Sequence, residues 1–155
     1  MNVQKRVSDS YTEQVHILTP NTMNGNNHLF GGCLMEWIDI VAVVTARRHC
    51  GKNVITAAVD RLEFKGSANI NNLVVLCGKI VYAGKTSMQV CVKSYVEDYD
   101  GSRVLINQAY VTLVAIDDDE KPCRVPELIC LNEEEHIEYE AARVRAEEYR
   151  RKRMG

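Results

Sequence analysis

The most apolar segment of the chain, CLMEWIDIVAVVTA from Cys33, shows no clean two-residue alternation. Leu34, Met35, Trp37, Ile38, Ile40, Val41, Val43 and Val44 occupy nearly every side of a helical wheel, over a length that exceeds a strand. The pattern predicts a helix from Gly32 to about Cys50, enclosed by other elements. Arg47, Arg48 and His49 suit the negative end of its dipole, and Gly51 suits its C-terminal cap.

Shorter apolar runs flank this helix. YTEQVHILT, residues 11–19, predicts a first strand ended by Pro20. Four further strands are expected near 54–64, 72–82, 87–98 and 103–116. In the third, Met88, Val90, Val92 and Val96 alternate with Gln89, Cys91, Lys93 and Glu97, the period of a half-buried strand. The connections KGSANINN, AGKT and DYDG are short, so neighbouring strands are antiparallel, and Asp100-Gly101 marks a hairpin. DDDEKPCRVPEL then leaves the sheet. Asn132 with Glu135 reads as a capping box opening a last helix to about Arg153, acidic at its start and basic at its end. Residues 1–9 read as a flexible tail, 10–125 as one domain, and 126–155 as a linker and charged helix. The class is α+β: an antiparallel sheet wrapped around a long central helix, with an extra C-terminal helix.

Composition narrows the classes. A chain of 155 residues with 46% hydrophobic and 26% charged residues is one ordinary globular domain. A formal charge of −2 argues against nucleic acid as the main partner. The six cysteines show no C-x-x-C pair and no zinc-type spacing, so they read as reduced, mostly buried thiols, with no metal expected. The first residues lack an apolar signal core, and no run reaches the roughly 18 apolar residues of a membrane span. A cytoplasmic protein without a membrane partner is expected.

Three stretches carry candidate chemistry. NTMNGNNHLFGG, Asn21 to Gly32, is rich in turn-formers and runs straight into the long helix; its plain reading is a loop with tight packing at Gly31-Gly32 and a turn capped by Asn24. Asp39 is a carboxylate inside EWIDIVAVV, a costly place unless it is exposed, paired or functional. GKTS, Gly84 to Ser87, resembles a Walker fragment, but Lys79 stands where a P-loop needs its first glycine, and the segment lies between strands. It is either a hairpin turn or a phosphate-holding turn of backbone N–H groups, a lysine and two hydroxyls. His28 sits in the Asn/Gly loop, while Asp60 and Arg61 belong to VDRLEF. The terminal RRKR reads as a solvated helix end.

Taken together, NGNNHLFGGCLMEWIDIVA, VITAAVDRLEF and YAGKTSMQV resemble the hotdog-fold acyl-CoA thioesterases of the bacterial short-chain type, related to brain acyl-CoA hydrolase. The likeness spans roughly residues 8–125. It implies hydrolysis of acyl-CoA to free acid and coenzyme A without a cofactor, and pairing of domains into dimers and commonly hexamers. It places a catalytic Asn at Asn24 and coenzyme-A contacts at Gly84, Lys85, Thr86 and Ser87. Under this resemblance Gly31 and Gly32 supply N–H groups to the thioester carbonyl, and Asn24 holds a water or that carbonyl. Asp39 is base or nucleophile, with base favoured. Seven residues beyond Gly32, Asp39 lies about 10 Å along its own helix, too far to act there. An antiparallel partner helix resolves this, and the resemblance implies the same sharing. An acyl-CoA-binding module without turnover and an enoyl thioester hydratase or dehydratase are the alternatives. For RRKR the sharper alternative is the coenzyme-A nucleotide.

Overall fold

The computed structural model describes residues 4–154. Its elements run β1 (Gln4–Arg6), α1 (Val7–Ser10), β2 (Thr12–Ile17), a 3-10 turn at Pro20–Thr22, α2 (Gly31–Cys50), β3 (Asn53–Phe64), β4 (Leu73–Ala83), β5 (Ser87–Glu97), β6 (Arg103–Ile116), β7 (Glu127–Ile129) and α3 (Glu133–Met154). Five strands form one antiparallel sheet in the order β2-β4-β5-β6-β3, and β1 pairs with β7 in a separate parallel ribbon. The expected α+β hotdog architecture is the one observed.

The sheet curls around α2. Val74, Leu76 and Ile80 of β4, Met88, Val90 and Val92 of β5, and Ala109, Val111, Leu113 and Ala115 of β6 form one core with Leu34, Ile38, Val41, Ala42 and Ala46 of the helix. The helix comes closest at Gly78, where an added Cβ would stand 2.5 Å from Thr45 Oγ1 and 2.6 Å from Val41 Cγ1. This glycine is needed for space, not for conformation. Gly51 closes α2 in the left-handed region (φ 69°), its N–H donating to Arg47 O, as its position just past the apolar run predicts. Gly101 (φ 86°) turns the expected β5–β6 hairpin, with its N–H donating to Asp98 O.

The outer face of the sheet differs from expectation at β5. Gln89 and Cys91, read as the solvent side of a half-buried strand, are buried. Helix α3 covers them: Ala142 packs with Val81, Tyr82 and Cys91, and Gln89 Nε2 donates to Ala142 O at 3.0 Å. Arg145 Nε donates to Gln89 Oε1 at 2.9 Å, with its guanidinium 3.7 Å above the Tyr110 ring. Burial pushes the Cys91 thiol up to about 11, which keeps it protonated. Only Cys50 and Cys91 are buried; the other four cysteines are half-buried, and all six are unpaired.

Two further boundaries are corrected. The flexible tail read over 1–9 fails from Gln4 onward, because β1 pairs with β7 in register Gln4–Glu127 to Arg6–Ile129 and Val7 is buried behind it; residues 1–3 lie outside the described residues. The linker read at 126 likewise contains β7. The capping box at α3 closes unevenly: Glu135 N–H donates to Asn132 Oδ1 at 2.8 Å, while Glu135 Oε1 accepts from Leu131 N–H, one residue before the cap. No described helix is long and apolar enough to cross a membrane.

Gly78→Ala is expected to destabilise the fold by about 1–3 kcal/mol, the cost of overpacking a close helix–sheet contact, as read from urea unfolding. A second expectation concerns pH. His49 is fully buried, its Nε2 donates to Pro126 O at 2.8 Å, and its Nδ1 has no partner among the described residues. Burial lowers its pKa, as it does for His16. Below about pH 6.5 the unfolded chain therefore takes up protons that the folded chain excludes, so stability falls as pH drops and recovers above that value. Urea unfolding across this range should show that loss, and His49→Gln should reduce it, leaving the share of His16.

Candidate active site

Helix α2 begins without a cap. Phe30 occupies the N-cap with no side-chain hydrogen bond, and the first turn holds no acidic residue. Leu34 N–H is the first to be bonded, to Phe30 O at 3.1 Å, which leaves the N–H groups of Gly31, Gly32 and Cys33 without acceptors among the described residues. Helix α3, with Asn132 at its cap and three glutamates in its first turn, shows that this chain caps a helix where it needs to. The head of α2 is thus a bare positive dipole end presenting three donors. A Cβ on Gly32 would stand 2.6 Å from the Phe30 ring, and one on Gly31 would stand 3.8 Å from the Phe64 ring, so the two phenyl groups flank this end.

The Asn/Gly stretch is folded tightly onto itself. Asn24 Oδ1 accepts from the N–H groups of Asn26 (2.8 Å) and His28 (3.1 Å), Asn24 N–H donates to His28 O (2.8 Å), and Asn27 takes a left-handed conformation (φ 61°). Phe30 N–H donates to Thr22 O, Leu29 N–H to Ala68 O, and His28 Nδ1 meets Asn69 Oδ1 at 2.9 Å. Two backbone donors fix which end of the Asn24 amide is oxygen. The oxygen is committed to the loop, and the NH2 has no partner within it, so Asn24 is a donor only. His28 is a loop strut.

Asp39 sits two turns along α2, half-buried, and its Oδ1 accepts from Thr56 Oγ1 at 2.7 Å. Thr56 lies at a bulge of β3, the edge strand of the sheet, and was not among the residues singled out from sequence; a threonine in a strand gives no local signal. No hydrogen bond joins Asp39 to Asn24 among the described residues. Around Asp39 the surface is apolar and exposed: Met35 and Ile40 on the helix, Ile55 and Val59 on β3. Among the described residues no group of three His, Cys, Asp or Glu is disposed to hold a metal.

Gly84 to Ser87 form the β4–β5 turn. Gly84 N–H donates to Ser87 O, and the carbonyls of Lys85 and Thr86 accept from Val125 and Ala115 N–H. The turn borders a groove of about 570 Å³ in which Lys52, Lys85 and Arg124 outnumber Glu127. Cys50 and Lys52 line the same groove, so it opens at the C-terminal end of α2. The bare head of the helix is roughly 30 Å away, at 1.5 Å per residue. One protomer therefore keeps its N–H donors and its cationic groove at opposite ends. Asp60 and Arg61 lie farther along β3; Arg61 is left-handed (φ 53°) where the register with β6 shifts.

This arrangement matches known proteins. The thioesterase superfamily pattern matches residues 26–100, a span that holds the head of α2, Asp39, Thr56 and the β4–β5 turn. The acyl-CoA thioester hydrolase YkhA of Bacillus subtilis is 36% identical over 83% of this chain and 76% of its own. An acyl-CoA hydrolase of Staphylococcus aureus, solved with butyryl coenzyme A and coenzyme A, superposes with a TM-score of 0.91 at 31% identity, over 97% of this chain and 93% of its own. Structures of that enzyme with single Asn, Asp and Thr residues changed to Ala superpose equally well, and the three changed positions follow one another at intervals of 15 and 17 residues. An apo-hexameric acyl-CoA thioesterase gives a TM-score of 0.91 at 34% identity, over 99% of this chain and 98% of its own. The chain belongs to the thioesterase superfamily, among the hotdog-fold acyl-CoA thioester hydrolases.

Proposed function

We propose that the protein hydrolyses acyl-CoA thioesters to a free acid and coenzyme A at a site built by two protomers. The observation that carries this reading is the bare head of α2, with an asparagine that can only donate in the loop that runs into it. Acyl transfer develops negative charge on the carbonyl oxygen, and fixed donors aimed at that oxygen are the largest single means of lowering its barrier. Gly31 and Gly32 N–H receive the thioester oxygen, with the Asn24 amide beside them. Asp39 of the partner subunit takes a proton from water, and that water attacks the carbonyl carbon. The tetrahedral intermediate then collapses, the thiolate leaves, and the proton held by Asp39 neutralises it. Thr56 binds one carboxylate oxygen and leaves the other for the water. Acyl-CoA, water and these groups balance the reaction, so no cofactor enters it.

Dimer formation follows from the same surfaces. Edge strand β3 with Ile55 and Val59, and the neighbouring Met35 and Ile40, form an apolar face that a second copy covers by pairing β3 to β3. The antiparallel partner helix then brings its Asp39 towards this chain's Gly32. It also brings the partner's Gly84–Ser87 turn, with Lys52 and Arg124, towards the same end, and these hold the coenzyme-A phosphates. Within one protomer the helix length between donors and groove exceeds an extended pantetheine arm. Further assembly into a hexamer of three such dimers is in keeping with the hexameric relative. The spacing of Asn24, Asp39 and Thr56, 15 and 17 residues, equals that of the three positions changed in the S. aureus enzyme, which supports their roles. The unpaired cysteines suit a reducing compartment, and the cytoplasm is the proposed location.

Asp39→Asn and Asn24→Ala are each expected to lower kcat for thiol release from short acyl-CoA at least ~100-fold with unfolding transitions unchanged, and Thr56→Ala on the order of tenfold. Near wild-type turnover in both of the first two variants would remove the assignment. Sharing has its own test. Co-refolded Asp39→Asn and Asn24→Ala chains place one intact site in each mixed dimer, so roughly a quarter of wild-type activity should return. If both residues served one protomer's own site, none would.

A further inference from the structure

Asn69 to Asn72, the NINN of the β3–β4 connection, form a turn tied to the core. Asn69 N–H donates to Asn72 Oδ1 at 2.7 Å, and Asn72 N–H donates to Asn69 O at 3.0 Å. The turn is fastened to Leu18, which is fully buried: Asn71 N–H donates to Leu18 O and Leu18 N–H to Asn72 O, each at 3.0 Å. From this anchor Asn69 Oδ1 meets His28 Nδ1 at 2.9 Å, across 41 positions of sequence. His28 in turn holds Asn24 at two points. Its N–H donates to Asn24 Oδ1, and its carbonyl accepts from Asn24 N–H. One run of hydrogen bonds thus leads from a core leucine through Asn72, Asn69 and His28 to Asn24.

His28 and Asn69 are both exposed. A hydrogen bond between exposed side chains adds little to stability, because water competes for both partners. The two loops are already joined through their main chains, by a bridge between His28 and Asn69 and by Leu29 N–H donating to Ala68 O. What the side-chain bond adds is placement: it removes the freedom left at the tip of the loop that carries Asn24. Placement matters for a donor that has to meet a developing charge, since a shift of about 1 Å can cost on the order of 100-fold in rate. We propose that Asn69 and His28 are positioning residues that act through Asn24, setting where its NH2 stands when a thioester binds. The bond needs only the oxygen of Asn69, because the proton on His28 Nδ1 is carried by the Nδ1 tautomer and by the imidazolium alike. The assignment rests on the role of Asn24 in the thioesterase reading above.

The test measures thiol release from butyryl-CoA by the wild type, Asn69→Ala, Asn24→Ala and the double variant, with a melting curve for each. Asn69→Ala is expected to lower kcat on the order of tenfold with KM within about twofold, the mark of an interaction made only in the transition state. Its Tm should stay within about 2 °C of the wild type, as suits an exposed hydrogen bond. In the Asn24→Ala background the same change should cost less than about twofold, because the group being positioned is gone. Asn69→Asp, which keeps an acceptor oxygen in place, should retain most of the wild-type turnover. An unchanged kcat in Asn69→Ala, an equal loss in both backgrounds, or a loss in Asn69→Asp as deep as in Asn69→Ala would overturn the inference and leave the pair a structural contact. Full activity in Asn24→Ala, or no hydrolysis by the wild type, would overturn it together with the reading on which it rests, so the two failures are distinct.

Discussion

A helix enclosed on nearly all sides has to begin somewhere, and its first backbone N–H groups have to find acceptors or go without. Among the described residues of this protein they go without. The cap is a phenylalanine with no oxygen to offer, and the next two residues have no side chains. Around this uncompensated end the rest is arranged. The preceding loop is zipped to the 67–72 segment, so its position does not wander. Asn24 spends its oxygen on closing the loop upon itself, which leaves its NH2 without a partner in the loop. The sheet holds α2 close through Gly78, so the helix head is fixed relative to β3 and Phe64. Electrostatic preorganisation of this kind depends on donors that do not move when charge appears, and each of these contacts removes a freedom.

The same rigidity keeps the parts of the proposed site apart within one protomer. A straight helix of 20 residues cannot fold back to bring its second turn, or the groove at its far end, to its own head. Surface chemistry records the consequence. Apolar side chains are exposed along the edge strand and the adjoining helix face, where a monomer has no use for them. Elsewhere the chain covers what it can: α3 buries Gln89 and Cys91 on the outer side of the sheet, and Arg145 is satisfied there by an amide and an aromatic face instead of a carboxylate.

Elements whose cause is local were legible in the sequence. The long helix, the four later strands and the Asp100-Gly101 hairpin follow from periodicity and turn chemistry within windows of a dozen residues, and they lie where expected to within a residue or two. What was not legible depends on distant partners. Gln4–Arg6 has no strand pattern and becomes β1 only because Glu127–Ile129 lies beside it. Gln89 looks like a solvent residue until Ala142 arrives 53 positions later. At the candidate site, the glycines, Asn24 and Asp39 stand out because their residue types are unusual in their settings. Thr56 does not, because its meaning is a single tertiary hydrogen bond to Asp39. Asn24 was legible as a polar group, yet only the loop's closure decides which of its atoms is free.

The β1–β7 ribbon bears on how the chain reaches this state. Pairing Gln4 with Glu127 joins positions separated by almost the whole sequence, and contacts of that span form only after the entropy of closing a very long loop has been met. During synthesis β1 emerges well before β7, and it is therefore among the last of these strands to find its place. Until Pro126 is available, the buried His49 at the end of α2 lacks the acceptor that its Nε2 uses in the folded chain. The order of assembly is the reverse of the order of emergence at this corner of the molecule, and a nascent chain holds its N-terminal segment in waiting while the hotdog closes around its helix.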